Sequence, residues 1–247
     1  MTATEDQTHW FAPILSSDFE ATTVTADATA VWGGIGSTTS IPLIFSACVI
    51  QNSIQAGGSS FVFQNGRYEL TTSPSAVVTI NAVTNGNGNV DAISQECALQ
   101  GSGHFDPTPP GGFGVITDSG VSTCDVPTTV DQPVSGDQGA NLSQTCTYEQ
   151  LVAVVDAAEP IPIPVHNGFA GTGSNATYHV YGHVGFRLTG FGLNLGGSAR
   201  TYGNATCSGA GNNNQCLTGQ FMNLVDADAE LDPSAPDLGS FTFKLID

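Results

Sequence analysis

Two histidines four residues apart are the first side chains in this sequence whose types could do chemistry. His179 and His183 lie in the run Tyr178–Phe191, where apolar and polar residues alternate with the period of a strand. A rise of about 3.3 Å per residue separates the two rings by about 13 Å, too far for one metal ion. We therefore expect both histidines to lie, with Tyr181 and Arg187, on the solvated face of a strand.

A serine hydrolase would need a nucleophile, a histidine and a carboxylate brought together in one place. The sequence has five histidines, but they are scattered along the chain. The Gly-x-Ser-x-Gly motif, which holds a serine at a strand-to-helix turn, is absent from it. We expect a protein that is not an enzyme and has no catalytic residues.

An acidic segment, residues 226–237, offers the oxygen ligands that Ca²⁺ prefers. It lacks the glycine and the closing glutamate of an EF-hand loop, so we favour a solvated acidic loop. Ca²⁺ is the one cofactor left open by this reasoning, and no other cofactor is expected. Its candidate ligands are Asp226, Asp228 and Asp232.

The six cysteines have wide, unequal spacings and include no Cys-x-x-Cys pair, which argues against a zinc or thioredoxin-type site. An even set of this kind favours disulfides, which persist outside the reducing cytosol. The residues alone leave the pairing open. The six are Cys48, Cys97, Cys124, Cys146, Cys207 and Cys216.

The charge balance excludes one class of partner. Four Lys and Arg against 22 Asp and Glu give a net charge of −18, which argues against binding to nucleic acid or to anionic membranes. No window of about 20 apolar residues is present, so we expect no membrane span. Residues 1–20 lack the apolar core of a signal peptide, and with disulfides expected we interpret the chain as a mature form or a fragment.

Short alternating runs separated by Gly, Asn and Pro predict a mainly β fold with a sandwich-like arrangement. We expect one disulfide-bonded domain over residues 1–247, with a weak division near residues 105–140. The predicted strands are Thr22–Val31, Ile41–Ile50, Ser60–Leu70 with a hairpin turn at Asn65-Gly66, Ala76–Val83, Tyr178–Phe191, Gln215–Val225 and Phe241–Ile246.

One helix is predicted at about Leu142–Asp156, with Asn141 as its N-cap. A short strand, Ile161–Val165, should follow it. Its prolines are typical of an edge strand, because proline cannot donate a ladder hydrogen bond. The segment Asp106–Gly114 (DPTPPGGFG) has the composition of a turn.

The order of several segments resembles the actinobacterial proteins related to TadG and TadE of the Flp, or tight-adherence, pilus assembly system. The matching segments combine aromatic-Ala-Pro, Pro-Leu, Gly-Gly-Phe-Gly, Tyr-His-x-x-Gly and Cys-x-x-Gly-x-Phe patterns. They are Trp10–Gly34, Ile41–Ile50, Pro110–Cys124, Ile161–Phe191 and Gln215–Phe221. Family members usually begin with a membrane helix that this chain lacks, so the chain resembles the extracellular part of such a protein.

This resemblance implies three disulfides, Cys48–Cys97, Cys124–Cys146 and Cys207–Cys216. It also implies a surface protein from an actinobacterial source, without catalytic residues, that works in pilus assembly or as a minor pilin. Its partners would be other proteins of the assembly or further copies of itself. Exposed strands such as Ile161–Val165 or Phe241–Ile246 would allow edge pairing with a neighbour.

Two alternatives from other classes stay open. The first is a carbohydrate-binding or surface-adhesion module, in which aromatic side chains stack on sugar rings. Its candidate residues are Trp10, Trp32, His179 and Tyr181. The second is a secreted hydrolase, for which the sequence shows the ingredients without a motif.

Overall fold

Most of the described chain lies in β-strands, in agreement with the predicted mainly β, sandwich-like fold. The computed structural model describes residues 2–8, 21–27, 29–56, 61–64, 67–70, 75–81, 113–117, 124–137, 142, 146–170, 176–195, 198–207, 215–236 and 238–246.

The strands of these residues are β1 (Thr2–Thr8), β2 (Ala21–Asp27), β3 (Thr29–Ser40), β4 (Leu43–Ser46), β5 (Phe61–Gln64), β6 (Arg67–Leu70), β7 (Val78–Asn81), β8 (Phe113–Ile116), β9 (Val126–Thr129), β10 (Pro133–Asp137), β11 (Ile161–Ala170), β12 (Ala176–Leu195), β13 (Ser198–Gly203), β14 (Cys216–Phe221), β15 (Leu224–Val225), β16 (Glu230–Leu231) and β17 (Ser240–Ile246). The helices are α1 (Ala47–Ala56) and α2 (Tyr148–Ala157).

The chain divides into two units. The first consists of Met1–Trp32 and Phe243–Asp247, and its strands β1 and β2 form an antiparallel pair. The second consists of Gly33–Thr242 and contains both helices and most of the strands. The interpretation of residues 1–247 as one domain stays a prediction.

The main sheet of the second unit has the strand order β10–β8–β4–β11–β12–β14–β7, with β13 also paired to β12. A further pairing joins β10 to the start of β12, with Pro133 opposite His179 and Gly136 opposite Ala176. The strands β10, β8, β4, β11 and β12 therefore form a closed ring, in which each strand is hydrogen-bonded to the next.

Tyr178 lies inside this ring and contacts three of its strands. Its ring centroid is 4.8 Å from that of His166 on β11. A Cβ atom at Gly114 on β8 or at Gly136 on β10 would overlap the tyrosine ring. These two glycines therefore leave the space that the buried Tyr178 occupies.

The larger core lies on the opposite face of the main sheet, where α1 and α2 pack. A row of aromatic rings lies at its centre. The ring centroid of Phe186 is 6.0 Å from that of Phe45 and 5.0 Å from that of Phe221, and both pairs have edge-to-face geometry. Ile50 and Ile54 of α1 and Leu151 of α2 are fully buried against it. Burial of such side chains is the main source of folding free energy.

A second sheet has the order β15–β17–β3–β16, with β9 paired to β3. In the second unit, Val126 and Val130 at β9 pack with Ile44, Ile116 and other apolar residues from the inside of the ring. These contacts between the two sheets are the sandwich-like part of the fold.

The prediction that Ile161–Val165 is an edge strand is wrong, because β11 lies between β4 and β12. Its prolines are tolerated for a geometric reason. Pro162 and Pro164 are two residues apart, so their missing N–H groups face the same side of the strand. On that side β4 pairs only with Val165 and His166, beyond the prolines.

The predicted strand Ile41–Ile50 is also partly wrong, since only Leu43–Ser46 is a strand and a helix begins at Ala47. The buried residues Ala47, Ile50 and Ile54 recur at intervals of three and four, which is the period of a helix. This helical spacing extends to Ile54, beyond the apolar run Ile41–Ile50 from which a strand was predicted.

The predicted helix Leu142–Asp156 is shorter in the structure and begins at Tyr148. Its N-cap is Thr147, while the predicted cap Asn141 lies outside the described residues. The Thr147 side chain accepts a hydrogen bond from the Gln150 backbone N–H at 3.3 Å, and the Gln150 side chain accepts one from the Thr147 backbone N–H at 2.8 Å. This capping box fixes where the helix starts.

Several other predictions are confirmed. β5 and β6 pair antiparallel with Gln64 opposite Arg67, as the predicted Asn65-Gly66 hairpin requires. Strands are present within the predicted runs Ala76–Val83, Tyr178–Phe191 and Phe241–Ile246, whereas the run Gln215–Val225 contains two strands, β14 and β15, instead of one. Within Asp106–Gly114, predicted as a turn, Phe113 and Gly114 belong to the buried strand β8, and the rest lies outside the described residues.

The capping box generates a first prediction. Thr147→Ala removes the side-chain oxygen that accepts from Gln150, and we expect the free energy of unfolding to fall by about 1 kcal/mol. For a chain of this size the melting temperature should fall by about 2–4 °C. Thr147→Ser keeps the oxygen and is the matched control. Equal melting temperatures for the alanine and serine variants, measured by circular dichroism, would contradict the assignment.

Candidate functional site

His183 is buried between the two sheets, with 1% of its surface exposed. Its Nδ1 lies 3.2 Å from the backbone oxygen of Ile35 on β3, and its Nε2 lies 2.9 Å from Thr128 Oγ1 on β9. A carbonyl oxygen only accepts, so Nδ1 carries the proton, and Nε2 of the neutral ring accepts from the Thr128 hydroxyl. The imidazole thus joins β12 to both β3 and β9.

The expectation that His183 lies on a solvated face is wrong, and a bulge in β12 is the reason. Val165 pairs with Gly182 and the next residue, His166, pairs with Val180, so Tyr181 is the extra residue. A bulge of one residue exchanges the two faces of the strand beyond it. His179, before the bulge, is exposed as predicted, whereas His183 beyond it points between the sheets.

Burial controls the protonation of His183. Desolvation of the charged form lowers its pKa from 6.5 to about 4, although the hydrogen bond to Ile35 and the negative charge of Asp226 act in the opposite direction. His183 and its neighbour Thr128 are both buried. The Thr–His pair resembles part of a hydrolase site in its chemistry, but its burial keeps a substrate from reaching it.

His166 is a second buried histidine, in contact with Tyr178 inside the ring of strands. Burial lowers its pKa from 6.5 to about 3, and a hydrogen bond with the Gly168 backbone offsets this only in part. Both buried histidines are therefore neutral at physiological pH. Their role is to fill and connect the core of the second unit.

Two of the three candidate Ca²⁺ ligands, Asp226 and Asp232, accept hydrogen bonds through their carboxylates. Asp226 accepts from the Thr38 hydroxyl at 2.6 Å and from the Asp228 backbone N–H at 3.1 Å. Asp232 accepts from the backbone N–H and the hydroxyl of Ser234. In the described part of the chain, no group of three or more His, Cys, Asp or Glu side chains is placed to hold a metal ion.

Two of the three disulfides implied by the family resemblance are formed in the structure. Cys124 pairs with Cys146 and Cys207 pairs with Cys216, with Cα–Cα distances of 4.6 Å and 5.3 Å. The remaining pair, Cys48–Cys97, stays a prediction, because Cys97 lies outside the described residues. Cys124 and Cys146 are both buried, whereas Cys207 is partly exposed.

Among the residues of the first unit whose burial is described, four large apolar side chains on β3 and β17 are exposed. Trp32 is 71% exposed, Leu245 is 65% exposed, Phe243 is 45% exposed and Ile246 is 43% exposed. We call these four residues the apolar edge surface. Exposed apolar patches usually mark a place where another molecule binds, and Phe243 and Leu245 lie two residues apart on the same face of β17. Residue types pointed to Trp32 and to the strand Phe241–Ile246. They did not indicate that both faces of β17 are exposed beyond Thr242.

The residues considered for carbohydrate binding belong to different parts of the chain. Tyr181 packs against the larger core, on the face of β12 opposite to that of His183. His179 is exposed on the same strand, and Trp32 belongs to the first unit. Trp10 lies outside the described residues.

No family model, no curated protein and no solved structure matches this chain. Each of the two described helices has ten residues, about half of what a bilayer crossing requires, and neither qualifies as a membrane span.

The burial of the two histidines predicts a loss of stability in acid. Below pH 6.5 the unfolded chain takes up protons at these positions while the folded chain does not, so the free energy of unfolding falls as the pH is lowered. With a folded pKa near 4, His183 alone should account for about 3 kcal/mol by pH 4. Urea denaturation at a series of pH values from 7 to 4 measures this.

His183→Asn should lower the stability at pH 7 and flatten its dependence on pH between 6.5 and 4. His179→Asn is the matched control, because it removes an exposed histidine from the same strand and should leave the slope unchanged. If the asparagine variant at 183 does not fold, the His183 ring can be titrated by NMR in the wild-type protein. A ring that becomes charged above pH 5.5 would contradict the assignment.

The difference in burial predicts the order in which the two disulfides are reduced. A thiolate must reach a sulfur atom to break the bond. We expect dithiothreitol to reduce Cys207–Cys216 in the folded protein while Cys124–Cys146 stays intact until unfolding. Pulsed alkylation with peptide mass spectrometry reads out both bonds in one sample. Simultaneous reduction of the two bonds under native conditions would show the prediction to be wrong.

Proposed function

We propose that this chain is a non-enzymatic structural protein of the cell exterior that acts through protein–protein contacts, as a pilus-assembly or minor-pilin-like domain. The observation that carries the proposal is the apolar edge surface, Trp32, Phe243, Leu245 and Ile246. Such side chains stabilise an interface when a partner removes them from water.

Two further features support this proposal. The disulfides Cys124–Cys146 and Cys207–Cys216 suit an oxidising environment outside the cell. The histidines with altered pKa values, His166 and His183, are buried and serve the core, so the groups that usually mark an active site have another role here. The resemblance to pilus-assembly proteins adds the biological setting.

An adhesion module is the second candidate, and the exposure of Trp32 is the observation that favours it. An exposed indole is a common platform for stacking on a sugar ring, since it combines an apolar face with a polar edge. A glycan array probed with the wild-type protein and with Trp32→Ala separates the two proposals. Specific glycan binding that is lost in the alanine variant would favour adhesion.

The proposed function predicts capture of a protein partner. The purified chain, cross-linked to envelope proteins of the cells that make it, should give a discrete complex. Phe243→Ser combined with Leu245→Ser should weaken capture by about tenfold or more, because the transfer of each large apolar side chain from water is worth about 1.5–3 kcal/mol.

Val77→Ser is the matched control, because Val77 is also an exposed apolar residue but belongs to the second unit. It should capture as well as the wild type. All three proteins should melt within a few degrees of one another, since exposed positions contribute little to stability. Absence of any captured protein, or equal capture by all three, would count against the proposal.

A further inference from the structure

Strand β17 has one edge that is only partly paired. On one side, β15 pairs in parallel with Ser240 and Phe241, and no described strand continues this pairing along Phe243–Ile246. The Phe241 backbone oxygen accepts from the Asp226 N–H at 3.0 Å and the Gly239 oxygen accepts from the Leu224 N–H at 2.6 Å, both on that side. By the two-residue period of a strand, the backbone groups of Phe243 and Leu245 face the same side.

The side chains of this segment combine apolar groups with a single charge. Phe243, Leu245 and Ile246 are exposed, and between them stands Lys244, also exposed and the only lysine of the chain. The segment contains no acidic residue, although the whole chain has a net charge of −18. A cation placed here is therefore available to a carboxylate of another molecule.

We infer that the open edge of β17 binds an extended strand of a different protein, whose apolar side chains cover Phe243 and Leu245 and whose carboxylate pairs with Lys244. This inference rests on the proposed function and specifies the partner. Backbone hydrogen bonds along an open edge supply affinity in such strand addition, and side chains at alternate positions supply specificity. Opposite charges directly across two strands stabilise their pairing.

A second copy of this chain fits the same edge less well. Pairing of Phe243–Ile246 with the same four residues of a second copy leaves Lys244 without a carboxylate opposite it, because those residues include none; the nearest carboxylate in the sequence, that of Asp247, lies outside the described residues. Two copies, each with a net charge of −18, also repel one another. Charge complementarity therefore favours a partner strand of another sequence, with an acidic residue among apolar ones.

A library of random nine-residue peptides displayed on phage is the probe that tests this inference. Selection on the full chain should enrich peptides in which an Asp or Glu lies between β-branched or aromatic residues. Selection on Lys244→Glu should instead enrich Lys or Arg at that position. A synthetic peptide from the first selection should bind Lys244→Glu about tenfold more weakly than wild type, because an attraction becomes a repulsion.

The backbone part of the inference is tested by a pair of variants at one position. Leu245→Pro removes an N–H from the open edge and should abolish binding of the selected peptide. Leu245→Ala keeps that N–H and should weaken binding by less. Circular dichroism of both variants checks that the rest of the fold is kept.

The inference is overturned if no peptide is enriched, if Lys244→Glu selects the same peptides as wild type, or if Leu245→Pro binds as well as Leu245→Ala. These failures differ from failure of the proposed function. Loss of envelope-protein capture while peptides still bind would overturn the proposed function. Capture that persists without selected peptides would overturn only the assignment of the partner as an acidic strand.

Discussion

A bulge of one residue in β12 decides which of its side chains reach water and which lie between the sheets. Tyr178 and Val180 before the bulge, and His183 after it, all face the second sheet or the inside of the strand ring. Val184 and Phe186 face the larger core. The strands β10, β11, β13 and β14 all pair with β12. The change of face in β12 therefore affects which face of the main sheet points to each core.

The two disulfides follow the same organisation. Cys124 lies just before β9 and Cys146 just before α2, so this bond ties a strand of the second sheet to the helix that packs on the opposite face of the main sheet. The bond Cys207–Cys216 ties the end of β13 to the start of β14, and both strands pair with β12. Cross-links of this kind stabilise the fold mainly by restricting the unfolded chain.

The sequence patterns predict strands well where alternation is regular, and less well where a local device interrupts it. Alternation predicted the strand that contains His179 and His183, but a bulge has no signature in composition, so the burial of His183 could not be predicted. The α1 helix was hidden because an apolar run that ends at Ile50 fits a strand as well as a buried helix. In contrast, the capping box Thr147-x-x-Gln150 was readable and would have placed the start of α2 correctly.

The apolar edge surface could be predicted only in part, for a related reason. The composition of Phe241–Ile246 predicts a strand, but exposure depends on which neighbours cover it, and that is a property of the sheet order. Neither β15, which pairs only with Ser240 and Phe241, nor the position of Trp32 near the end of the first unit could be deduced from residue types.

Exposed strand edges invite association, and natural proteins usually cover them, interrupt them or place charges on them. In this chain the ring of five strands removes two edges of the main sheet, and Pro162 and Pro164 occupy positions where β4 does not pair. The open edge of β17 differs from these edges, because its apolar side chains are exposed on either side of one lysine. An edge that only had to avoid other chains would not need Phe243 and Leu245, because polar residues at both positions would protect it better. The partner strand that we propose would cover these apolar residues, and its carboxylate would pair with Lys244.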